Sequence, residues 1–283
     1  MAKENMVGLH VSVAGSLDLA FDRAQDLGAT TFQIFTRNPN QWKFKPIPEE
    51  TVALFLEKRK KSGFRRIVDH MPYLPNLASP EKSTMKISRY TLDEELKRCD
   101  SLGIDYLVVH LGSHLGKGSA AGVANVAAAC NEALAASSGE GMVLLENMAG
   151  QKNSVGARFE ELRGILDRVR EEGRVGVCFD TCHAFACGFD LSNEEAVAHT
   201  MGLFADVVGL ERLKVVHLND SKGPLGSRLD RHENIGKGKI GRRGVRAFLH
   251  YPGIAELPLI METPYEDIRT MRHSIKLVRT LMQ

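Results

Sequence analysis

VGVCFDTCH, residues Val175 to His183, is the stretch that decides how this chain is read. Val175 to Phe179 form a short apolar run of the kind buried on both faces of a parallel sheet. The run ends abruptly in Asp180, with His183 just beyond. Coordinating groups at the carboxyl end of a parallel strand sit where α/β enzymes place their ligands. A buried strand ending in a carboxylate and an imidazole is therefore a site candidate, and its weight depends on whether other strands end the same way.

They do. Ile67-Val68-Asp69 ends in His70, Tyr106 to Val109 in His110, and Met142 to Leu145 in Glu146. Further on, Val215-Val216 ends in His217 and Pro258 to Met261 in Glu262. Helical patterns separate these runs. A first strand, Met6 to Val13, carries His10 and precedes a helix expected to start from an N-cap at Ser16 and stop at Gly28. Thr31 to Thr36 is a second strand, followed by the polar loop RNPNQW, Arg37 to Trp42. Helices are expected from about Glu49 to Lys61, Pro80 to Ser101 and Ala120 to Ala136, then along the apolar face of Phe159, Leu162, Ile165, Leu166 and Val169. Ser192 and Glu195 suggest a capping box for a helix running to about Val208, and a long loop from Ser221 to Gly241 precedes the last strand, Leu257 to Thr263. Strands and helices alternate eight times with no linker between them, so the expected fold is α/β, a single (β/α)8 TIM barrel spanning residues 1–283 as one catalytic domain.

Composition agrees with that economy. At 283 residues, 43% hydrophobic and 25% charged, the chain has enough apolar material for one large core. A net charge of +2 announces no polyanion partner, so any basic surface must be local. Five cysteines supply no disulfide framework, the N-terminal stretch MAKENMVGLH lacks an apolar signal segment, and no run approaches the roughly 20 apolar residues of a membrane span. The expectation is a soluble, intracellular, cytoplasmic protein with no membrane partner.

Two further groups join the strand ends. Asp230 and His232 are two residues apart, on one side of an extended chain, and Asp180 with His183 forms a second spaced pair. Together His70, His110, Glu146, Asp180, His183, His217, Asp230, His232 and Glu262 make nine candidate ligands, all His, Asp or Glu. One zinc takes about four ligands, so nine suit two or three metals, with a carboxylate bridging. Cys178, inside its strand, reads as a small buried hydrophobe, and His114, His199, His250 and His273 as surface or packing residues. His10, at a strand end, suits a supporting or substrate-facing role.

With these landmarks the sequence resembles the endonuclease IV family of zinc-dependent apurinic/apyrimidinic endonucleases. The resemblance covers nearly the whole chain: HVS at His10, NPNQW at Asn38, VVHLGSH at Val108, LLENMAG at Leu144, GVCFDTCHAFACGFD at Gly176, HLNDSKGPLGSRLDRHENIGKG at His217 and METP at Met261. It implies a (β/α)8 barrel with three zinc ions per chain. One is held by His70, His110 and Glu146, a second by Asp180, His217 and Glu262 with Glu146 bridging, and a third by His183, Asp230 and His232. Glu146 and Glu262 would be the catalytic carboxylates. The implied reaction is hydrolysis of the phosphodiester 5′ to an abasic site in duplex DNA, giving a 3′-hydroxyl and a 5′-deoxyribose phosphate, with removal of 3′-blocking groups as a second activity. The implied partner is double-stranded DNA with abasic sites or blocked 3′ ends, engaged by a monomer.

DNA contacts need their own residues. The segment Arg228 to Arg246 concentrates cations, among them Arg231, Lys237 and Lys239, and reads as a flexible basic loop suited to phosphates. Tyr73 and Leu74, in the Pro-rich loop Met71 to Pro80, suit a wedge into a base stack. By resemblance the loop carrying Asn40 and Trp42 also penetrates the duplex, with Asn40 standing where some relatives carry arginine. Two rival functions fit parts of the pattern. A sugar isomerase or epimerase on a similar barrel needs only one or two metals, and a zinc-stabilised DNA-binding protein predicts closed sites without turnover.

Overall fold

The computed structural model describes residues 5–43, 45–264 and 267–283. The first four residues of the stretch read for a signal segment lie outside that range. The first half of the chain alternates β1 (Val7–His10), α1 (Leu19–Leu27), β2 (Thr31–Ile34), α2 (Glu49–Ser62), β3 (Ile67–His70), α3 (Lys82–Leu102), β4 (Tyr106–Val109) and α4 (Ser119–Ala136). It continues through β5 (Met142–Glu146), α5 (Phe159–Leu166), β6 (Val175–Asp180), α6 (Thr181–Cys187), α7 (Glu194–Val207) and β7 (Leu213–His217). A short antiparallel ladder of β8 (Asp220–Ser221) with β9 (His232–Glu233) precedes α8 (Gly241–Leu249), β10 (Leu259–Met261) and α9 (Ile268–Leu281). Eight parallel strands close into a barrel in the order β1-β10-β7-β6-β5-β4-β3-β2, so the fold is the expected (β/α)8 TIM barrel.

The strands divide their side chains between two cores because successive residues point to opposite faces. Ile67, Leu107, Val143, Val177, Phe179 and Val216 belong to the layer between strands and helices. Val68, Val108, Leu144, Cys178, Val215 and Ile260 form a separate cluster that fills the barrel interior. Cys178 is fully buried there, as a small hydrophobe should be. Long apolar runs in this chain are thus strands buried on both faces, and the interior plug leaves only the mouth for chemistry.

Local signals held unevenly. Gly28 and Gly103 terminate α1 and α3 with φ of 77° and 63°, and each donates its N–H back to the last turn. The expected start of α1 at Ser16 is corrected: the cap position is Asp18, and the Ser16 hydroxyl hydrogen-bonds that carboxylate instead. The capping box at Ser192 and Glu195 is likewise corrected, because Asn193 occupies the cap and its side chain accepts from the Ala196 N–H at 3.1 Å. At Asn193 the better-placed oxygen lies one residue nearer the helix than the sequence suggested, whereas at Asp18 the cap position carries no side-chain cap bond. Among the described residues, no helix is long and apolar enough to cross a membrane.

Candidate metal centre

Each strand-end candidate lies two residues beyond a member of the interior plug: His70 after Val68, His110 after Val108, Glu146 after Leu144, Asp180 after Cys178, His217 after Val215 and Glu262 after Ile260. A spacing of two keeps a side chain on the same face of a strand, so the six project into the barrel axis one layer above the plug. His110 and Glu262 sit one residue past the hydrogen-bonded ends of their strands.

The remaining three candidates arrive by local devices. Asp180 caps α6, accepting the His183 N–H at 2.7 Å, and a single helical turn carries His183 back over the mouth. This short helix was not expected from sequence. The long loop after β7 is pinned rather than flexible, which corrects the sequence reading. β8 pairs with β9, and the buried Asp220 carboxylate accepts backbone N–H groups from Gly236, Gly238, Ile240 and Gly241 at 2.9 to 3.2 Å. A Cβ on Gly238 would lie 2.5 Å from Asp220 Oδ1, so only glycine fits that approach. The ladder delivers Asp230 and His232 to the mouth, and from Gly241 onward the supposed loop is helix α8.

All nine side chains meet. Ligand-type atoms of His70, His110 and Glu146 lie within 4.8 Å of one another, as do those of Glu146, Asp180, His217 and Glu262, and those of His183, Asp230 and His232. Glu146 joins the groups, with Oε2 at 3.3 Å from His70 Nε2 and 3.0 Å from His110 Nε2, and Oε1 at 3.0 Å from His217 Nδ1. His217 Nδ1 is also 3.1 Å from Glu262 Oε2. His232 Nε2 lies 3.5 Å from Asp180 Oδ2, linking the third group to the second.

Four of the five imidazoles are oriented as metal ligands are, with one nitrogen facing the cluster and the other tied to a carbonyl or amide. His70 Nδ1 meets the Met71 carbonyl at 2.7 Å, His183 Nδ1 the Asn147 carbonyl at 2.9 Å, and His232 Nδ1 the Glu262 carbonyl at 3.1 Å. His217 is reversed: its Nε2 meets Gln33 Oε1 at 2.8 Å, leaving Nδ1 to the carboxylates. Gln33 also donates Nε2 to Glu262 Oε1 at 2.6 Å and to His10 Nδ1 at 3.1 Å. Burial pushes His10 down to about 4, keeping its ring neutral and able to accept. Sequence reading missed Gln33; its signal is an amide in the middle of the apolar strand TFQI, where a buried polar group needs partners. It missed Asn219 too, which donates to Asp180 Oδ2 at 2.7 Å and accepts from the Glu262 N–H at 2.8 Å.

The donor set fits metal ions. Nε2 of His183 and of His232 are buried without a hydrogen-bond partner, although Asp230 Oδ1 lies 3.2 and 3.3 Å away. Two imidazole nitrogens and a carboxylate oxygen converging without bonding each other are arranged around a shared point. Burial opposes the charge on Glu146, yet the neighbouring His110 and His217 outweigh it and hold the carboxyl well below its usual range. Burial likewise opposes protonation of His183, and Asp180, Asp230 and Glu146 outweigh it and raise the ring. The cluster demands positive charge, which cations supply with the imidazoles neutral.

The mouth opens as a cavity of about 570 Å³ lined by His10, His70, Tyr73, His110, His183, Asp230, His232 and Glu262, with Lys222 and Arg231 as cations on its wall. Lys222 escaped sequence reading although it stands two residues after Asp220. Tyr73 is 55% exposed, yet its ring stands 5.8 Å from His70 and 6.0 Å from His110, so it overhangs the cluster. Leu74, Asn40 and Trp42 are exposed on neighbouring loops outside the cavity wall. Lys237 lines a separate cleft with Arg242, Arg269 and His273, and Lys239 is exposed. Size alone does not mark the site, since a groove of about 640 Å³ between α2 and α3 is lined by Ile47, Val52, Leu56 and Tyr90.

Fold and site define a TIM-barrel protein with a cluster of metal-type ligands at its carboxyl mouth. A family described as the xylose isomerase-like TIM barrel matches residues 21–281. The chain is 50% identical over 277 residues to a probable endonuclease 4 of Methanoculleus marisnigri, covering 98% of each, and 45% identical to one from Nitrosopumilus maritimus, covering 93% of this chain and 95% of the relative. The crystal structure of endonuclease IV from Thermus thermophilus superposes with a TM-score of 0.86 at 35% identity over 98% of both chains. A D-psicose 3-epimerase shares the fold at a TM-score of 0.70 and 14% identity. The chain belongs to the endonuclease IV family.

Proposed function

We propose that the protein is a DNA-repair hydrolase that incises duplex DNA on the 5′ side of abasic sites, leaving a 3′-hydroxyl and a 5′-deoxyribose phosphate, and that it also clears blocked 3′ ends. The observation that carries this reading is the convergence of nine ligand-type side chains beneath a rim bearing Tyr73, Arg231 and Lys222. His70, His110 and Glu146 would hold one zinc, Asp180, His217 and Glu262 a second shared through Glu146, and His183, Asp230 and His232 a third. Bound zinc supplies charge for the phosphodiester and brings the pKa of water to about 7.

The chain's own residues do the rest. Glu146 is fully buried, whereas Glu262 also lines the cavity, so Glu262 is the carboxylate that reaches an attacking water and orients it. Water oxygen bonds to phosphorus as it gives up a proton, the bond to the 3′ oxygen breaks, and that oxygen takes up a proton in turn and leaves as the 3′-hydroxyl. No thiol competes as nucleophile, because burial pushes Cys178 and Cys182 up to about 12. Arg231 and Lys222 contact phosphates without reading sequence. Tyr73 and Leu74 fill the gap left by the missing base, with Asn40 and Trp42 on the next loop and Lys237 and Lys239 further along the backbone. We read the protein as one domain acting as a monomer in the cytoplasm.

The test is incision of a duplex carrying one abasic analogue, before chelation, after it, and after stepwise zinc return. Activity that returns with three zinc ions per chain supports the reading. Full incision by the chelated protein, or sugar epimerisation without incision, overturns it.

A further inference from the structure

We infer that a buried clamp on α3, made of Glu95 and Arg98, positions the loop Arg37 to Trp42 for DNA. The inference rests on the abasic-duplex reading and names residues outside the metal cluster. Glu95 is fully buried in the middle of a helix, a costly place for a carboxylate without a task. It accepts from the Thr36 hydroxyl at 2.8 Å and pairs with Arg37 Nε. Arg37 then donates Nη1 to the carbonyls of Gln41 and Trp42 at 3.1 and 3.2 Å, folding the loop back on its root. One turn along α3, Arg98 donates to the Thr36 carbonyl and hydroxyl at 2.5 and 2.9 Å, and to the Lys45 carbonyl at 3.2 Å.

Two side chains three apart on one helix face thus grip both ends of the loop. The grip is backbone-directed. It sets where Asn40 and Trp42 stand while leaving both exposed. A loop held in place before binding loses less freedom when duplex DNA arrives, so the clamp lowers the cost of engagement and leaves the bond-breaking step untouched. Glu95, Arg98 and Arg37 are positioning residues.

Trp42 is the one tryptophan in the chain, so its fluorescence reports on this loop alone. Glu95→Gln keeps the volume and the Thr36 contact but removes the charge that holds Arg37. In Glu95→Gln, acrylamide quenching of Trp42 should rise about twofold and KM for the abasic duplex about tenfold, with kcat and zinc content unchanged. Hydrolysis of bis(p-nitrophenyl) phosphate, too small to touch the loop, should match wild type. Arg37→Gln should behave alike, and the double variant should be no worse than either single, because one clamp cannot be broken twice. If Glu95→Gln proves insoluble, Arg37→Gln carries the same expectation. Unchanged quenching and KM in folded variants overturn the inference, as does an equal fall in kcat on both substrates with zinc loss. Should wild type fail to incise abasic DNA, the proposed function fails, and Trp42 quenching still decides the clamp.

Discussion

Two layers of the barrel interior, stacked on the same strands and the same face, have opposite chemistry. The lower one holds Val68, Val108, Leu144, Cys178, Val215 and Ile260. The upper one, two residues further along each strand, holds His70, His110, Glu146, Asp180, His217 and Glu262, and Gln33 completes it from β2 through bonds to His217 and Glu262. Roughly 6.6 Å of strand separates them. The lower layer needs shape alone, so any apolar side chain of fitting volume serves. Members of the upper layer are specified by their partners, since each buried donor or acceptor left alone carries the full cost of its lost hydration.

Substitutions made pairwise in the two layers put that contrast at risk. Glu146→Gln, in the upper layer, should lower incision on the order of 10³-fold or more, with partial retention of DNA binding measured by fluorescence anisotropy. Incision at the wild-type rate would remove Glu146 from the mechanism. Leu144→Ala, directly beneath it, should cost about 2–5 kcal/mol in urea unfolding while zinc content stays constant. A loss of zinc without a loss of stability would erase the distinction between layers.

A finer probe is Gln33→Met, which removes the acceptor facing His217 Nε2. Zinc affinity in a chelator competition should fall about 10–100-fold with little change in fold. The apolar side of the contrast extends outward to Cys130 on α4, whose burial pushes the thiol from 9.0 up to about 12. Between those values the unfolded chain ionises and the folded one does not, so this group takes stability away as pH rises. Cys130→Ala should therefore soften the fall in Tm between about pH 8 and about pH 10.5, the smallest of these effects.

What could be seen in the sequence follows the same division. His70, His110, Glu146, Asp180, His217 and Glu262 stood out because each interrupts an apolar run where the strand leaves the plug. Asp230 and His232 were visible as a spaced pair in a segment, Arg228 to Arg246, otherwise rich in cations. Gln33 was hidden because one amide inside TFQI carries no period, and its meaning depends on partners from β1, β7 and the end of β10. The two-residue strands β8 and β9 are too short for any alternation to register, so their loop read as flexible. Helix α6 was missed because seven residues of TCHAFAC show neither a polar face nor a stop before Gly188. Caps shifted by a residue or two: at Asn193 asparagine competes with serine on nearly equal terms, and at Asp18 the helix starts late without a side-chain cap.

Gln33 touches β1 through His10 and meets Glu262 from the far end of the chain. The last seam of the cylinder, where β10 meets β1, and the completed site consequently depend on the same residues. A copy that lacks β10 lacks Glu262 and the seam with β1 together. The first and last strands of the cylinder thus meet where its final ligand stands, so the ends of the chain and the floor of the mouth share one joint.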